Sequence, residues 1–223
     1  MPIAAQTIAA RTIAVIDFET TGISPGQGAR ATEIAAVLVC GGRIVDRFAS
    51  LMYSGAWVSP FIEQLTGISN AMLQGAPPAA QVMREVCRFT QGLPLVAHNA
   101  AFDRGFWQAE ARQAGLDADP AHQFACTVLL SRRLYPQAAN HRLGTLARLH
   151  HLPSSGRAHR ALADAEVTAH LLLQIQHDVS NRFCEELGSQ EVGHDLLMAL
   201  QRSEARSLQR CVARYGRTEA MAP

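Results

Sequence analysis

From residue 12 the chain opens with apolar positions at nearly every step, Ile13, Ala14, Val15, Ile16 and Phe18, rich in β-branched side chains, which predicts a strand over residues 11–18. Two more apolar runs, 32–40 and 43–51, flank Gly41-Gly42, a dipeptide suited to the positive φ angles of a tight hairpin. The three strands should form an antiparallel meander. Residues 22–30 (GISPGQGAR) hold the proline and glycines that keep the first strand from running on.

The period then lengthens. Residues 60–65 read as a short helix begun by Pro60 and stopped by Gly67, and Ser69 is placed to cap the next turn. Residues 77–90 carry Val82, Val86 and Phe89 on one helical face, and LPLVAHN (93–99) is a short buried strand. Residues 100–115 return to helix and end at Gly115; residues 124–127 form a last strand running into a helix through Tyr135, ahead of Pro136. Leu143, Leu146 and Leu149 recur every third position in residues 141–152, a one-faced helix. After the loose stretch PSSGRAH, residues 160–178 predict a long helix with Leu162, Ala165, Ala169, Leu172 and Ile175 as its stripe. Meander strands followed by alternating helices and strands define an α/β layered domain over residues 1–180. Residues 181–223 are expected as a helical C-terminal extension, with one helix over 194–215 bearing Leu197, Leu200, Leu208, Cys211 and Tyr215 near one face and Gly216 as its stop.

Composition narrows the class. The chain has 223 residues, 48% hydrophobic, and no apolar run approaches the roughly 18 residues that cross a bilayer, so a soluble protein without membrane contact is expected. No basic stretch precedes an apolar core at the N-terminus, so no secretion is implied and a cytoplasmic location is expected. Cys40, Cys87, Cys126, Cys184 and Cys211 are odd in number and lack any CxxC pair, which reads as reduced thiols buried as small apolar residues. All twenty basic residues are arginine. Genomic base composition accounts for that blandly; the functional reading is phosphate recognition by guanidinium forks. Arg202, Arg206, Arg210 and Arg214 fall four apart on the last helix, where a solvated face, a duplex-backbone contact or a partner-docking helix would each explain them.

The candidate chemistry begins in VIDFETTG (15–22), where Asp17 and Glu19 lie two apart on a core strand and so share a face, with Phe18 turned the other way. Two carboxylates about 5 Å apart repel by roughly 3 kcal/mol at an effective dielectric near 20, so something must offset them. Asp103, just past a strand end, and Asp164, one turn into the long helix, can converge with them at one sheet edge, where open α/β folds build their sites. Four carboxylates without a nearby lysine or cysteine make an oxygen-rich cage for hard divalent cations, Mg²⁺ or Mn²⁺ ahead of zinc. His159, five residues before Asp164, brings an imidazole able to take a proton from water at neutral pH. There is no G-x-S-x-G elbow, Walker loop or paired Cys/His cluster.

Three segments in order, DFETTG (Asp17, Glu19), HNAAFD (Asn99, Phe102, Asp103) and HRALAD (His159, Asp164), resemble the motifs of the DEDDh, or DnaQ-like, 3′–5′ exonucleases of the ribonuclease H-like superfamily. The likeness covers residues 11–178, and histidine in place of tyrosine in the third motif points to the DEDDh branch. The motif sequences are similar to those of bacterial DNA polymerase III ε proofreading subunits and their stand-alone relatives. The resemblance implies a mixed five-stranded sheet, meander plus parallel strands, flanked by helices. It implies two divalent cations, Asp17 bridging them and Glu19, Asp103 and Asp164 completing their shells, with His159 deprotonating the attacking water. It also implies substrate contacts from Thr20, Thr21 and Gly22, from Leu65, Thr66 and Gly67 with Leu65 wedged against the terminal base, and from His98, Asn99 and Phe102. Gly67 is equally a helix C-cap, and Glu33, which resembles a family acid near the site, is equally a structural residue.

The expected activity is metal-dependent removal of nucleoside 5′-monophosphates from single-stranded or frayed DNA 3′ ends, in proofreading or repair. Two alternatives stay open: a 3′–5′ exoribonuclease, ribonuclease T-like or oligoribonuclease-like, since nothing secure reads the 2′-hydroxyl, and a catalytically silent, polymerase-associated binding module. The resemblance stops at about residue 180, and a polymerase or a second copy of the chain is the candidate partner of the C-terminal helix.

Overall fold

The computed structural model describes residues 12–154 and 156–220. One mixed sheet contains β1 (Ile13–Thr20), β2 (Ala31–Cys40), β3 (Arg43–Leu51), β4 (Leu95–Ala97) and β5 (Phe124–Cys126), in the order β3-β2-β1-β4-β5. β1 pairs antiparallel with β2 and β2 with β3, while β4 runs parallel to β1 and β5 parallel to β4. The meander and the five-stranded mixed sheet are as expected. Gly41 and Gly42 take φ of 56° and 76°, the left-handed pair that a tight hairpin requires.

The helices are α1 (Pro60–Thr66), α2 (Asn70–Gln74), α3 (Ala79–Phe89), α4 (Ala100–Gln113), α5 (Thr127–Leu134), α6 (Leu143–Leu149), α7 (Ala161–Arg182), α8 (Cys184–Leu187), α9 (His194–Arg202) and α10 (Leu208–Ala220). Side-chain oxygens of Ser59 and Ser69 accept the backbone N–H groups of Ile62 and Met72, capping α1 and α2, and Gly67 ends α1 with φ 75°.

Alternation along β1 sorts the core into two layers. Ile13 and Val15 pack with Leu171, Leu172 and Ile175 of α7. Ala14, Ile16 and Phe18 pack on the other side with Val82 and Val86 of α3 and Phe106 and Trp107 of α4. Each valine, leucine, isoleucine or phenylalanine so buried stabilises the fold by roughly 1.5–3 kcal/mol. Asp17 and Glu19 continue the Ile13–Val15 series and therefore emerge on the α7 side, whereas the Phe18 ring lies 6.4 Å from Phe106 and 6.5 Å from Trp107.

The C-terminal segment differs from expectation. Residues 194–215 are not one helix, because Ser203 and Glu204 are extended (ψ 154° and 149°) and Arg133 Nε donates to the Ser203 carbonyl at 2.8 Å. Arg202 thus sits on a different helix from Arg210 and Arg214. Gly216 stops nothing: α10 continues through it, and a Cβ there would collide with the Glu186 carbonyl oxygen, so glycine permits a close approach to α8. Leu196, Leu197 and Leu200 of α9 and Leu208 and Val212 of α10 join the same core layer as α7. Gln201 Oε1 accepts the Cys126 N–H at 2.7 Å, and His194 Nε2 lies 3.1 Å from the Leu95 carbonyl oxygen. Of the cysteines, Cys126 is buried, Cys40, Cys87 and Cys211 are half-buried, and Cys184 is exposed, contrary to the expectation that all are core residues. Among the described residues no helix is long and apolar enough to cross a membrane.

Candidate active site

The site forms where β1 ends. Asp17 lies opposite Ala35 and Glu19 opposite Glu33 on β2, and a register shift between Glu19 and Thr20 closes the ladder just past the acids. Asn99, in the left-handed region at φ 66°, turns the chain from β4 into α4 and brings Asp103 back over β1. Asp103 is buried, and its Oδ1 accepts the Phe18 N–H at 3.2 Å, between the two β1 acids. Asp164 comes from the first turn of α7, where its Oδ2 accepts the His159 N–H at 3.1 Å. His159 is exposed, and its φ of 61° sets it at the bend before the helix. One ligating atom each from Glu19, His159 and Asp164 lies within 4.8 Å of the others.

Glu33 fixes this arrangement from below. Its carboxylate takes Arg160 Nε at 3.0 Å and Nη2 at 2.6 Å, and it also accepts the Ala161 N–H at 2.9 Å. The start of α7 is thereby fastened to β2, which positions both His159 and Asp164.

The acids perturb one another as convergence requires. Burial raises Asp17 well above the usual carboxylate range, and the charges of Asp103, Glu19, Asp164 and Glu33 push it further. Glu19 is pushed up to about 8 by burial and then by Asp164 and Glu33, with Arg160 pulling the other way. Burial pushes Asp103 to about 7 against the Phe18 hydrogen bond, and raises Asp164 against the pull of the His159 N–H and charge. Surplus negative charge on carboxylate oxygens, with one imidazole at the rim, is the donor set that hard divalent cations fit.

The remaining predicted contacts divide. His98, Asn99, His159 and Asp164 line one cleft together with α5 and α6. His98 Nδ1 is 2.8 Å from Thr127 Oγ1, and burial lowers the imidazole to about 4, so it is neutral near pH 7. Thr20, Thr21, Gly22, Leu65, Thr66 and Phe102 lie outside that cleft lining. The Thr20 hydroxyl donates to the Gly22 carbonyl at 2.6 Å, and Thr21 Oγ1 accepts the Arg30 N–H at 3.0 Å, so both shape the loop after β1. Leu65 is 38% exposed at the end of α1. Thr66 is buried, donating to Ile62 O at 2.9 Å and accepting from Ile68 N at 3.1 Å. The Phe102 ring packs 4.9 Å from Phe106.

Sequence reasoning missed the two arginines on either side of His159. Besides Arg160, Arg157 donates from Nη2 to the Gln64 carbonyl at 2.9 Å and covers Gly67, where a Cβ would stand 2.5 Å from Nη1. It bridges the His159 loop to α1 beside Leu65. The signal was present in GRAHRALAD as two guanidinium groups next to an acidic cluster.

A mixed sheet of this order, with carboxylates from β1, α4 and α7 meeting at one edge, defines the ribonuclease H-like nuclease class. Residues 14–172 match the RNase_T exonuclease family, and the chain belongs to that family. It is 40% identical over 161 residues to the 3′–5′ exonuclease DinG of Bacillus subtilis, covering 72% of this chain and 17% of that protein. It is 39% identical over 168 residues to a PolC-type DNA polymerase III of Halalkalibacterium halodurans, covering 75% and 12% respectively. The chain thus spans less than a fifth of these curated relatives. Among solved structures, exonuclease X in complex with 5′ overhanging duplex DNA is 30% identical with a TM-score of 0.59, covering 74% of this chain and 91% of that one. Exonucleases of this fold normally use divalent metal ions.

Proposed function

We propose that the chain is a 3′–5′ exonuclease releasing nucleoside 5′-monophosphates from single-stranded or frayed DNA ends, in proofreading or repair. The meeting of Asp17, Glu19, Asp103 and Asp164 beside His159 carries this reading. Two divalent cations, Mg²⁺ or Mn²⁺, held by the four carboxylates would offset their charge and polarise the phosphodiester. The Phe18 N–H and the Glu33–Arg160 clasp hold Asp103 and the start of α7 in place before substrate arrives. His159, exposed at the rim, takes the proton of the attacking water and passes it to solvent. The terminal phosphodiester then breaks, the preceding nucleotide keeps a free 3′-hydroxyl, and one monophosphate leaves. Leu65 at the end of α1 offers an apolar surface to the terminal base, and Asn99 offers an amide beside it.

The DNA preference draws support from the relatives, one named a 3′–5′ exonuclease, one a DNA polymerase, and one solved with DNA. A polymerase or second copy docking on α10 would meet Arg210 and Arg214, because Leu208 and Val212 of that helix already lie in the core. The test is a side-by-side digestion of 5′-labelled single-stranded DNA, mismatched-end duplex and RNA of matched sequence with Mg²⁺. Shortening from the 3′ end with single-stranded DNA fastest is expected. Faster loss of RNA would mean an exoribonuclease, and binding without shortening of any substrate would mean a silent module.

A further inference from the structure

The cleft that ends at Asp164 and His159 runs on between α5, α6 and the start of α7, and its walls carry one sign of charge. Arg132 on α5, Arg142 at the N-cap of α6 and Arg148 in the last turn of α6 all line it, and all three are exposed. Asp164 is the one carboxylate in the described lining. None of the three guanidinium groups has an ion-pair or hydrogen-bond partner among the described residues, whereas those of Arg30, Arg160 and Arg206 each hold a glutamate. Burial pushes the wall's His98 down to about 4, so it adds no charge near pH 7, and burial together with the charge of Arg132 lowers His141. Three uncompensated guanidinium groups along a concave wall focus a positive potential beside the acidic cluster.

We propose that this wall binds the backbone phosphates of the strand on the 5′ side of the cleaved bond, an inference that rests on the exonuclease reading above. Guanidinium forks match phosphate oxygens bidentately and carry no base information, so the contact is indifferent to sequence. Arg142 and Arg148 are six positions apart, about 9 Å along a helix axis, which exceeds the rise of about 3.4 Å per nucleotide of a stacked strand. The two therefore serve different phosphates, and Arg132 serves a third. The substrate this geometry selects is a strand of about four or more nucleotides in preference to a dinucleotide.

The experiment compares the full chain with a triple variant, Arg132→Gln, Arg142→Gln and Arg148→Gln, on two substrates. One is single-stranded DNA of about twelve nucleotides; the other is the p-nitrophenyl ester of thymidine 5′-monophosphate, which has no 5′-ward phosphate to be held. For the long strand, each arginine lost should flatten the slope of log kcat/KM against log salt by about 0.7, so by about 2 in the triple variant, and KM should rise about tenfold or more. Hydrolysis of the ester should stay within about twofold, because exposed arginines contribute little to folding. An unchanged salt slope, or equal losses on both substrates, would overturn the proposal. If the unaltered chain cleaves neither substrate, the exonuclease reading itself fails and takes this inference with it.

Discussion

Glu19 and Glu33 face each other across the β1–β2 ladder, and the Arg160 guanidinium clasps Glu33, at 3.0 and 2.6 Å. Glu33 also accepts the Ala161 N–H, so its oxygens are occupied and it acts as a clamp on α7. Glu19 is left facing Asp164 and is pushed up to about 8. Two glutamates that face each other in the ladder thus differ, one closing a structural joint and one left without such a clasp among the acids that raise it.

Removing the clamp should harm activity more than its distance from the substrate suggests. Glu33→Ala leaves the Ala161 N–H and Arg160 unpaired, a loss of about 2–3 kcal/mol, while Glu33→Gln keeps one acceptor and should lose about half of that. Displacement of His159 and Asp164 should lower kcat roughly 100-fold in the alanine variant with KM little changed. Steady-state kinetics beside thermal melts check this; full kcat in a destabilised Glu33→Ala protein would show that α7 keeps its place without the clamp.

Stability should depend on pH in the sense set by raised carboxylates. Unfolded, Glu19 and Asp103 titrate near 4.5 and 3.8; folded, they are pushed to about 8 and 7. The folded chain holds more protons between those values, so stability present at low pH is lost as pH rises through the folded range. One proton's difference costs about 1.4 kcal/mol per pH unit, or about 3–6 °C in Tm for a chain of this size. In chelator, Tm should therefore fall between about pH 4 and pH 8, and Mg²⁺ or Mn²⁺ should restore it at the upper end. Melting curves with the same pH dependence in chelator and in Mn²⁺ would contradict a cation site at these acids.

A second clamp sits away from the chemistry. Arg30 pairs with the buried Glu110 through Nε and Nη2, each at 2.8 Å, and Glu110 Oε1 also accepts the Ala31 N–H at 3.0 Å. Glu110→Ala leaves a guanidinium without its partner at the start of β2 and should cost about 3 kcal/mol, a fall in Tm of about 6–12 °C. Turnover per folded molecule should be unchanged at temperatures below the melt. Urea titration and kinetics separate the two effects.

Local periodicity made the meander, the two core layers and the three acidic segments legible, since Ile13 to Phe18 announce a strand and Leu162 to Ile175 a helix without help from distant residues. What it missed depends on contacts far apart in the chain. The break at Ser203 is held by Arg133, some 70 positions earlier, and the spacing from Leu200 to Leu208 is compatible with one helix or two. Gly216 looked like a helix stop, yet it serves the approach of α8, which periodicity did not announce. The site acids were readable as residue types, but the clamp roles of Arg160 and Arg157 require knowing that β2 and α1 lie beneath the loop.

Concerted action of Asp17, Glu19, Asp103 and Asp164 on a strand's 3′ end through divalent cations is what we propose for this site. Its most direct test is the release of nucleoside 5′-monophosphates from single-stranded DNA by the full chain and by Asp17→Asn, each with Mg²⁺ and with chelator. We expect stepwise release by the unaltered chain in Mg²⁺ only, with Asp17→Asn folded but slower by about 1000-fold or more, since the lost interaction acts on the transition state. Equal release by Asp17→Asn, or release undiminished in chelator, would contradict it.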